Sequence, residues 1–308
     1  MRRRDLVDLL LLAALWGASF LFMRVAAPQF GAFSLMGLRT GIGAAVLLPF
    51  VLRAAGGAEL RANAARIAWV GLVNSALPFV MFGYAMQHLS AGFTSILNAT
   101  TPFWGAIAAY LWLGERLGRL RVIGLLIGFC GVLVLVWGRN GLEGDGSLLP
   151  ILAALVATAS YGFAAVATKK HLGDVGALTG AAGSQLFAAL MLLPFAIAWW
   201  PATPPDGWAW LSAALIGVLC TGLAYVLFFR LIARVGSSRA IAVTFLIPVF
   251  GMFWGAVFLG EAVSASMLAG AATILFGTAL TTGLLDPRRW LAASRAGSAP
   301  TGKPRSGT

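Results

Sequence analysis

Apolar stretches of about 20 residues follow one another along almost the whole chain, separated by short polar breaks. A helix of that length crosses the hydrocarbon core of a bilayer, and backbone groups in lipid must be hydrogen-bonded within the protein. The stretches lack the strict alternation of barrel strands. The sequence therefore predicts an all-α integral membrane protein with ten transmembrane helices. The predicted spans are 6–26, 31–52, 67–87, 91–113, 120–138, 148–168, 176–199, 209–229, 240–260 and 264–285.

Composition and charge agree with a membrane protein. The chain is 60% hydrophobic and 10% charged, whereas about a quarter of the residues of a soluble domain are charged. The net charge of +12 does not indicate nucleic-acid binding, because 19 of the 22 Lys and Arg residues fall on the side of the amino terminus. Arg24 and Arg139 lie on the far side, and Arg39 lies inside the second span. By the positive-inside rule, both termini are predicted to be cytoplasmic, with the lipid bilayer as a partner.

One phrase of the sequence occurs twice. The stretch TPFWGAIAAYLWLGERL at 101–117 returns as IPVFGMFWGAVFLGEAV at 247–263, and both contain P-x-x-G, seven mostly apolar residues and L-G-E. Glycine or proline matches at an offset of 145 or 146 recur across all five helix pairs. The sequence therefore predicts two five-helix repeats, 1–140 and 141–286, followed by a basic disordered cytoplasmic tail at 287–308. Because five is odd, the second repeat is inverted, as in alternating-access transporters.

These motifs resemble a known family. Trp16-Gly17 in the first span, and a fourth and a ninth span that contain proline and end in L-G-E, resemble the EamA-type members of the drug/metabolite transporter superfamily. The resemblance extends over about 6–285. It implies a ten-helix fold of two EamA-like repeats around a central cavity. It also implies export of small metabolites or amino acids from a bacterial inner membrane.

Polar and aromatic side chains within the spans are the candidates for solute binding, because polar groups in lipid are costly and usually face protein or water. The predicted substrate-binding residues are Arg39, Asn74, Tyr84, Asn98, Thr101, Trp104, Tyr161, Gln185, Tyr225, Thr244 and Trp254. Asn98 and Thr244 each stand four residues before a proline, Pro102 and Pro248. Both prolines are predicted to break their helices, act as hinges and free the carbonyls of Asn98 and Thr244.

The charge and the aromatic rings at the predicted site each have two interpretations. Arg39 lies about eight residues into its span, roughly 12 Å deep at a helical rise. It is predicted to pair with a substrate carboxylate or, alternatively, to reach helix carbonyls or lipid headgroups. Trp104 and Trp254 are interpreted either as walls for an apolar substrate or as packing residues.

Absent motifs narrow the function further. The sequence contains no HExxH, no paired catalytic carboxylates and no nucleotide-binding glycine loop, so neither enzymatic activity, a cofactor nor a metal site is predicted. No carboxylate is deeply embedded, which favours a facilitator or weakly coupled exporter of neutral or zwitterionic solutes over multidrug cation antiport. The expected partner is a small-molecule solute, for a monomer or homodimer. The alternatives are an exporter of amphiphilic drugs and a non-transporting membrane scaffold.

Overall fold

The computed structural model describes residues 3–54, 56–140, 148–236, 240 and 242–285, and these residues form helices and short connections without a strand. The predicted tail, 287–308, lies outside the described residues. Helices α1 (3–30) and α2 (32–53) form the segment Arg3–Arg53. The others are α3 Gly57–Ala62, α4 Ala64–Ala85, α5 Ala91–Asn98, α6 Thr101–Leu113, α7 Arg119–Asn140, α8 Leu149–His171, α9 Ala177–Ala198, α10 Gly207–Val235, α11 Val243–Leu259 and α12 Ala265–Thr281.

The predicted all-α membrane class is confirmed. Within the described residues, 6 helical segments are long and apolar enough to cross a bilayer, and α11 and α12 are shorter apolar helices of 17 residues each. The segment Arg3–Arg53 has 51 residues, about twice the length of one span. Large apolar side chains such as Leu111 and Trp137 are exposed around the bundle, as a surface facing lipid requires.

Three of the predicted spans, the first, the second and the fourth, are divided differently from the prediction. The first two spans meet at Gly31, whose φ of 73° and ψ of 168° suit glycine because it has no Cβ. They are therefore joined by a corner and need no separate loop. The predicted fourth span, 91–113, consists of α5 and α6, because the helix stops at Ala99 and Thr100 just before Pro102.

Both halves of the chain contain a π-helical segment. Within α4 it covers Leu72–Ala76, and within α10 it covers Ile216–Leu223. Shifting the first segment by 146 positions places it inside the second. A π-helical turn is rare and often marks a functional site, because it changes the direction of the side chains that follow. The same local distortion therefore occurs at equivalent places in the two halves.

The repeated L-G-E phrase forms the same helix end twice. Gly114 ends α6 with φ 67°, and Gly260 ends α11 with φ 65°, the left-handed conformation that glycine adopts at low cost. The backbone N–H of the following glutamate then donates to a carbonyl six residues earlier, at 3.3 Å for Glu115 and 3.1 Å for Glu261. These bonds satisfy carbonyls that the helix end would otherwise leave open.

The bundle has two ends, which we name by their residues. The basic end is where α2, α6, α8 and α10 finish, and it includes the 3.2 Å ion pair of Lys169 with Glu115. The opposite end is where α1 meets α2 and where α5 and α12 begin. There, Gln29 donates to Asp206 just before α10, at 3.0 Å.

Candidate functional site

A cavity of about 570 Å³ lies at the centre of the bundle. Helices from both predicted repeats surround it: α1, α2, α4 and α5 from the first, and α8, α9, α10 and α11 from the second. Its aromatic lining residues are Trp16, Phe20, Phe79, Phe82, Tyr161, Tyr225, Phe228 and Phe229. Its polar lining near the middle of the spans includes Ser19, Arg39, Asn74, Asn98, Ser184 and Thr244. This volume and this mixed surface fit a small organic solute.

Arg39 is the only charged residue lining this cavity in the described part of the chain. Its side chain is buried, its Nε donates to Thr221 Oγ1 at 3.1 Å and its Nη1 donates to Met23 Sδ at 3.7 Å. The guanidinium carbon lies 3.7 Å from the centre of the Phe79 ring, a cation–π contact. Among the described residues, no carboxylate lies within ion-pair distance of Arg39.

The contact of Arg39 with Thr221 has a neutral counterpart across the repeat. Gln185 Nε2 donates to Ser75 Oγ at 2.9 Å, and the positions 39 and 75 become 185 and 221 after a shift of 146. Both hydroxyls belong to the π-helical segments. Each π-helical segment therefore contributes a hydroxyl to a residue of the opposite half, but only one of the two partners is charged.

The structure brings six of the predicted residues to the cavity and leaves five outside its lining. The cavity residues are Arg39, Asn74, Asn98, Tyr161, Tyr225 and Thr244. The residues outside the lining are Tyr84, Thr101, Trp104, Gln185 and Trp254. Gln185 is fully buried behind the cavity against Ser75, and Tyr84 lies next to His88, with ring centres 5.1 Å apart.

Neither of the two predicted tryptophan walls lines the cavity, and both side chains make packing contacts. The Trp254 indole Nε1 donates to the carbonyl of Ala14 at 3.1 Å, which holds α11 against α1. The Trp104 ring meets Phe129 edge to face at 5.6 Å, and a Cβ on Gly162 would lie 2.6 Å from the Trp104 Cβ. Trp104 therefore fills the contact between α6 and α8.

The two prolines have different surroundings. Pro102 stands in the first turn of α6, just after the break between α5 and α6, whereas α11 continues through Pro248 without interruption. The Thr101 hydroxyl donates to the Asn98 carbonyl at 2.8 Å, so that carbonyl is already satisfied. A hinge role for either proline stays a prediction.

Sequence reasoning missed most of the aromatic lining. Phe20, Phe79, Phe82 and Phe228 lie in apolar spans, where an aromatic residue can equally face lipid, protein or cavity. The sequence marks Trp16 only as part of a family motif. The neighbouring Gly17 marks a close contact between helices. A Cβ on Gly17 would lie 2.5 Å from the Phe250 Cβ, so α1 and α11 touch there.

Among the described residues, the cavity extends toward one end of the bundle only. Its lining continues to Thr168, Leu172, Gly173, Val175 and Gly176 at the basic end. None of its lining residues belongs to the segments 24–34, 84–92, 199–208 or 256–266 at the opposite end. In this structure, a solute would therefore enter from the basic end.

Charged contacts hold the opposite end together. The Glu261 carboxylate accepts from the backbone N–H groups of Ala91, at 2.8 Å, and Gly92, at 3.2 Å, which open α5. Arg24 Nη1 donates to the carbonyls of Met86, at 3.0 Å, and Gln87, at 3.1 Å. The segment 86–92 is therefore bound through its carbonyls on one side and its N–H groups on the other. We call these four bonds the Arg24–Glu261 clamp.

Two carboxylates, those of Glu59 and Asp174, lie outside the spans beside the mouth of the cavity at the basic end. The N–H of Gly176, a mouth residue, donates to Glu59 Oε1 at 2.9 Å, and this bond lowers the pKa of Glu59. Hydrogen bonds from Arg66 lower the pKa of Asp174. Asp174 is exposed and Glu59 is partly exposed, so each contact adds little to stability.

Comparison with known proteins gives consistent matches along both halves. A sequence profile of the EamA-like transporter family matches residues 6–137 and again 148–283. The chain is 27% identical over 277 residues to the uncharacterized transporter YvbV of Bacillus subtilis, covering 89% of this chain and 90% of that protein. It is 24% identical to the probable amino-acid metabolite efflux pump of Escherichia coli K12, covering 97% and 100% of the two chains.

Two further matches extend the comparison. The probable terminal-alkyne amino-acid exporter of Streptantibioticus cattleyicolor is 28% identical over 298 residues, covering 95% of this chain and 96% of that one. One solved crystal structure superposes with a TM-score of 0.66, covering 94% of this chain and 99% of that chain. Because the identity there is 22%, this likeness shows the fold alone.

Proposed function

The chain belongs to the EamA-like transporter family, and on that premise we propose that it exports small metabolites or amino acids by alternating access through the central cavity. The family identifies the chain as a multi-pass membrane transporter rather than an enzyme. Relatives in Escherichia coli and Streptantibioticus cattleyicolor are named as an amino-acid metabolite efflux pump and an amino-acid exporter. These names support the proposed direction and the general solute class.

The proposed architecture is ten spans arranged as two inverted five-helix repeats, 1–140 and 141–286. Three observations support it. The family profile matches each half separately, the π-helical segments lie at equivalent positions, and the L-G-E phrase ends α6 and α11 in the same conformation. Inverted repeats can exchange conformations, which provides two states of similar energy that open a cavity to opposite sides.

We assign the basic end to the cytoplasm of a bacterial inner membrane, with both termini on that side. The excess of Lys and Arg at this end supports the assignment through the positive-inside rule. The observation that carries the proposed function is the cavity at the interface of the two halves, with Arg39 at its wall and an extension to the basic end only. A cavity in that state would load a solute from the cytoplasm, as export requires.

Energy coupling is proposed to be weak or absent. No Asp or Glu is among the lining residues of the cavity in the described part of the chain. Asp8, the carboxylate nearest to it along α1, is bound by Arg230 at 3.3 Å and Arg234 at 3.1 Å. Asp8 is therefore already paired with two arginines and does not line the cavity, which supports weak or absent coupling.

Of the alternatives, export of amphiphilic drugs draws support from the aromatic walls. The positive charge of Arg39 opposes the lipophilic cations among them, because like charges repel strongly in a site shielded from water. A non-transporting scaffold gains no support from a cavity of about 570 Å³ with polar walls.

The proposed function is tested by solute efflux from vesicles that contain the purified protein. Labelled amino acids and small organic acids are loaded, and their release is compared with that from protein-free vesicles. We expect release of at least one solute to accelerate, and Arg39→Gln to slow it. The control is Arg119→Gln, an exposed residue that does not line the cavity. Release at the protein-free rate for every solute would contradict transport.

A further inference from the structure

The guanidinium of Arg39 has unused capacity to bind a ligand. An arginine carries five N–H donors, and the protein contacts of Arg39 involve Nε and Nη1. No hydrogen-bond partner for Nη2 occurs among the described residues. The contact with Phe79 covers one face of the group and leaves its edge, where the N–H donors lie. A buried cation with free donors and no acidic neighbour is suited to bind an anion, because a buried charge is costly unless it is paired.

From these features we propose that the solute is a monocarboxylate with an apolar or aromatic body and no ammonium group beside the carboxylate. Simple aryl or alkyl carboxylic acids and N-acylated amino acids belong to this class, whereas free α-amino acids do not. The inference rests on the proposed function and narrows its solute class. It replaces the sequence-based expectation of neutral or zwitterionic solutes.

The reason lies in the charge balance of the cavity. A carboxylate placed on the free edge of Arg39 forms a bidentate, charge-assisted pair. In an α-amino acid the ammonium is attached to the carbon next to that carboxylate, so it would sit close to the guanidinium and be repelled. The described cavity residues offer this ammonium no Asp or Glu. Neutral acceptors such as Asn74 and Asn98 do not balance a buried positive charge.

The symmetry of the site limits the solute to one carboxylate. In the counterpart of the Arg39–Thr221 contact, the equivalent of Arg39 is Gln185, which is neutral and bonded to Ser75. Among the described residues that line the cavity, Arg39 is therefore the one cation, on one side of the repeat interface. A second carboxylate on the solute would lack a partner and would have to be desolvated at full cost.

The rest of the cavity accommodates the body of the solute. Trp16, Phe20, Phe82 and Phe228 contribute apolar faces, and Tyr161 adds an amphipathic ring. Burial of apolar area against these rings supplies affinity without adding charge. A rigid aryl or branched alkyl group fits such walls better than a polyhydroxylated body, whose hydroxyls would need hydrogen-bond partners.

Four probes with a phenyl ring and different charges test the inference: 3-phenylpropionate, N-acetylphenylalanine, phenylalanine and phenethylamine. Dissociation constants are measured by calorimetric titration of the full chain in lipid nanodiscs. We expect both carboxylates without an ammonium to bind at least about tenfold more tightly than phenylalanine, and phenethylamine to bind most weakly. Arg39→Gln should weaken carboxylate binding by about tenfold or more and remove this preference, whereas Arg39→Lys should retain part of it.

Arg119→Gln is the matched control, because it removes one positive charge at an exposed site and should leave all four dissociation constants unchanged. Equal or tighter binding of phenylalanine, carboxylate binding unaffected by Arg39→Gln, or absence of carboxylate binding would each overturn the inference. Vesicle efflux of the same probes separates it from the proposed function. Phenylalanine efflux without carboxylate preference would overturn the inference alone, whereas selective carboxylate binding without efflux would uphold it and contradict transport.

Discussion

The two ends of the molecule use equivalent glutamates in different ways. Glu115 and Glu261 follow left-handed glycines in the same repeated phrase, and both helix ends have the same backbone conformation. At the opposite end, Glu261 accepts from the first N–H groups of α5. At the basic end, Glu115 instead pairs with Lys169 at 3.2 Å. One sequence motif therefore forms the same local structure twice but makes two different tertiary contacts.

The basic residues show the same difference. Arg24 and Lys169 are equivalent at the offset of 145. Arg24 binds backbone carbonyls of the segment 86–92, whereas Lys169 binds the neighbouring glutamate. Arg24 and Glu261, which bind the backbone, lie at the opposite end, and the cavity does not reach that end. We therefore predict that closure of the opposite end depends on bonds from side chains to the backbone, because an exposed ion pair contributes little.

Removing the Glu261 carboxylate should have the largest effect. Glu261→Ala takes away two charge-assisted bonds to the N-terminus of α5, and we expect the closed end to lose about 2 kcal/mol. Amides 91–93 should then exchange with solvent about thirtyfold faster, as measured by hydrogen–deuterium exchange. Glu115→Ala is the matched control, with an expected loss below about 1 kcal/mol. Equal effects of Glu261→Ala and Glu115→Ala would contradict the proposed difference between the two ends.

Arg24→Gln should have the next largest effect, about 1–2 kcal/mol, because two bonds to carbonyls are lost. Since Arg24 and Glu261 bind the same segment, 86–92, their effects should not add. Exchange in the double variant with Glu261→Ala measures this coupling. The counterpart Lys169→Gln should leave the segment unchanged, because the Lys169 side chain is 70% exposed at the other end. Strict additivity would show that the clamp does not act as one unit.

The two glycines of the repeated phrase should respond equally. Gly114→Ala and Gly260→Ala each place a Cβ on a left-handed residue, at a cost of about 1 kcal/mol. An added Cβ would meet no atom within 4 Å at either position, so the cost comes from the backbone alone. Thermal unfolding of the two variants measures it. A clear difference in their stability loss would mean that the helix ends themselves, and not the contacts of the glutamates, differ between the two ends.

The smallest effect is expected at the exposed Arg66–Asp174 pair. Because Arg66 lowers the folded-state pKa of Asp174, the pair stabilises the fold above the ordinary pKa of an aspartate, about 4. This stabilisation is lost as the pH falls through the lowered pKa. The stability difference between the native chain and Asp174→Asn should therefore be small and constant from neutral pH to about pH 5, and should vanish in stronger acid. A difference that grows on acidification would contradict this contact.

The fold class followed from the length of the apolar stretches, because a bilayer leaves few alternatives for them. The repeat also predicted which residues are equivalent, down to the paired glycines Gly114 and Gly260. The corner at Gly31 and the break before Pro102 were not predicted, because apolar sequence continues through both. In lipid, apolar character no longer separates the inside of a helix bundle from its outside.

Polarity in the sequence identified part of the cavity lining, although Tyr84, Thr101 and Gln185, chosen for the same reason, lie outside it. Arg39, Asn74 and Tyr161 were selected for that reason, and all three line the cavity. However, neither polarity nor aromatic character in the sequence shows which way a side chain faces in the fold. Trp254 was selected for its ring but donates to Ala14, and aromatic residues such as Phe82 were missed although they line the cavity. Only tertiary packing determines which face of an apolar helix meets the cavity.

Access to the cavity from each side of the membrane tests the central claim most directly. In the triple variant Cys130→Ala, Cys220→Ala, Ser19→Cys, both native thiols are removed and one thiol is placed in the cavity. A membrane-impermeant maleimide is then added to vesicles in which the variant has either orientation. We predict modification only from the face of the basic end, which we assign to the cytoplasm, and from both faces once Glu261→Ala opens the Arg24–Glu261 clamp. Modification from the outer face with the clamp intact, or none from the cytoplasmic face, would contradict the account.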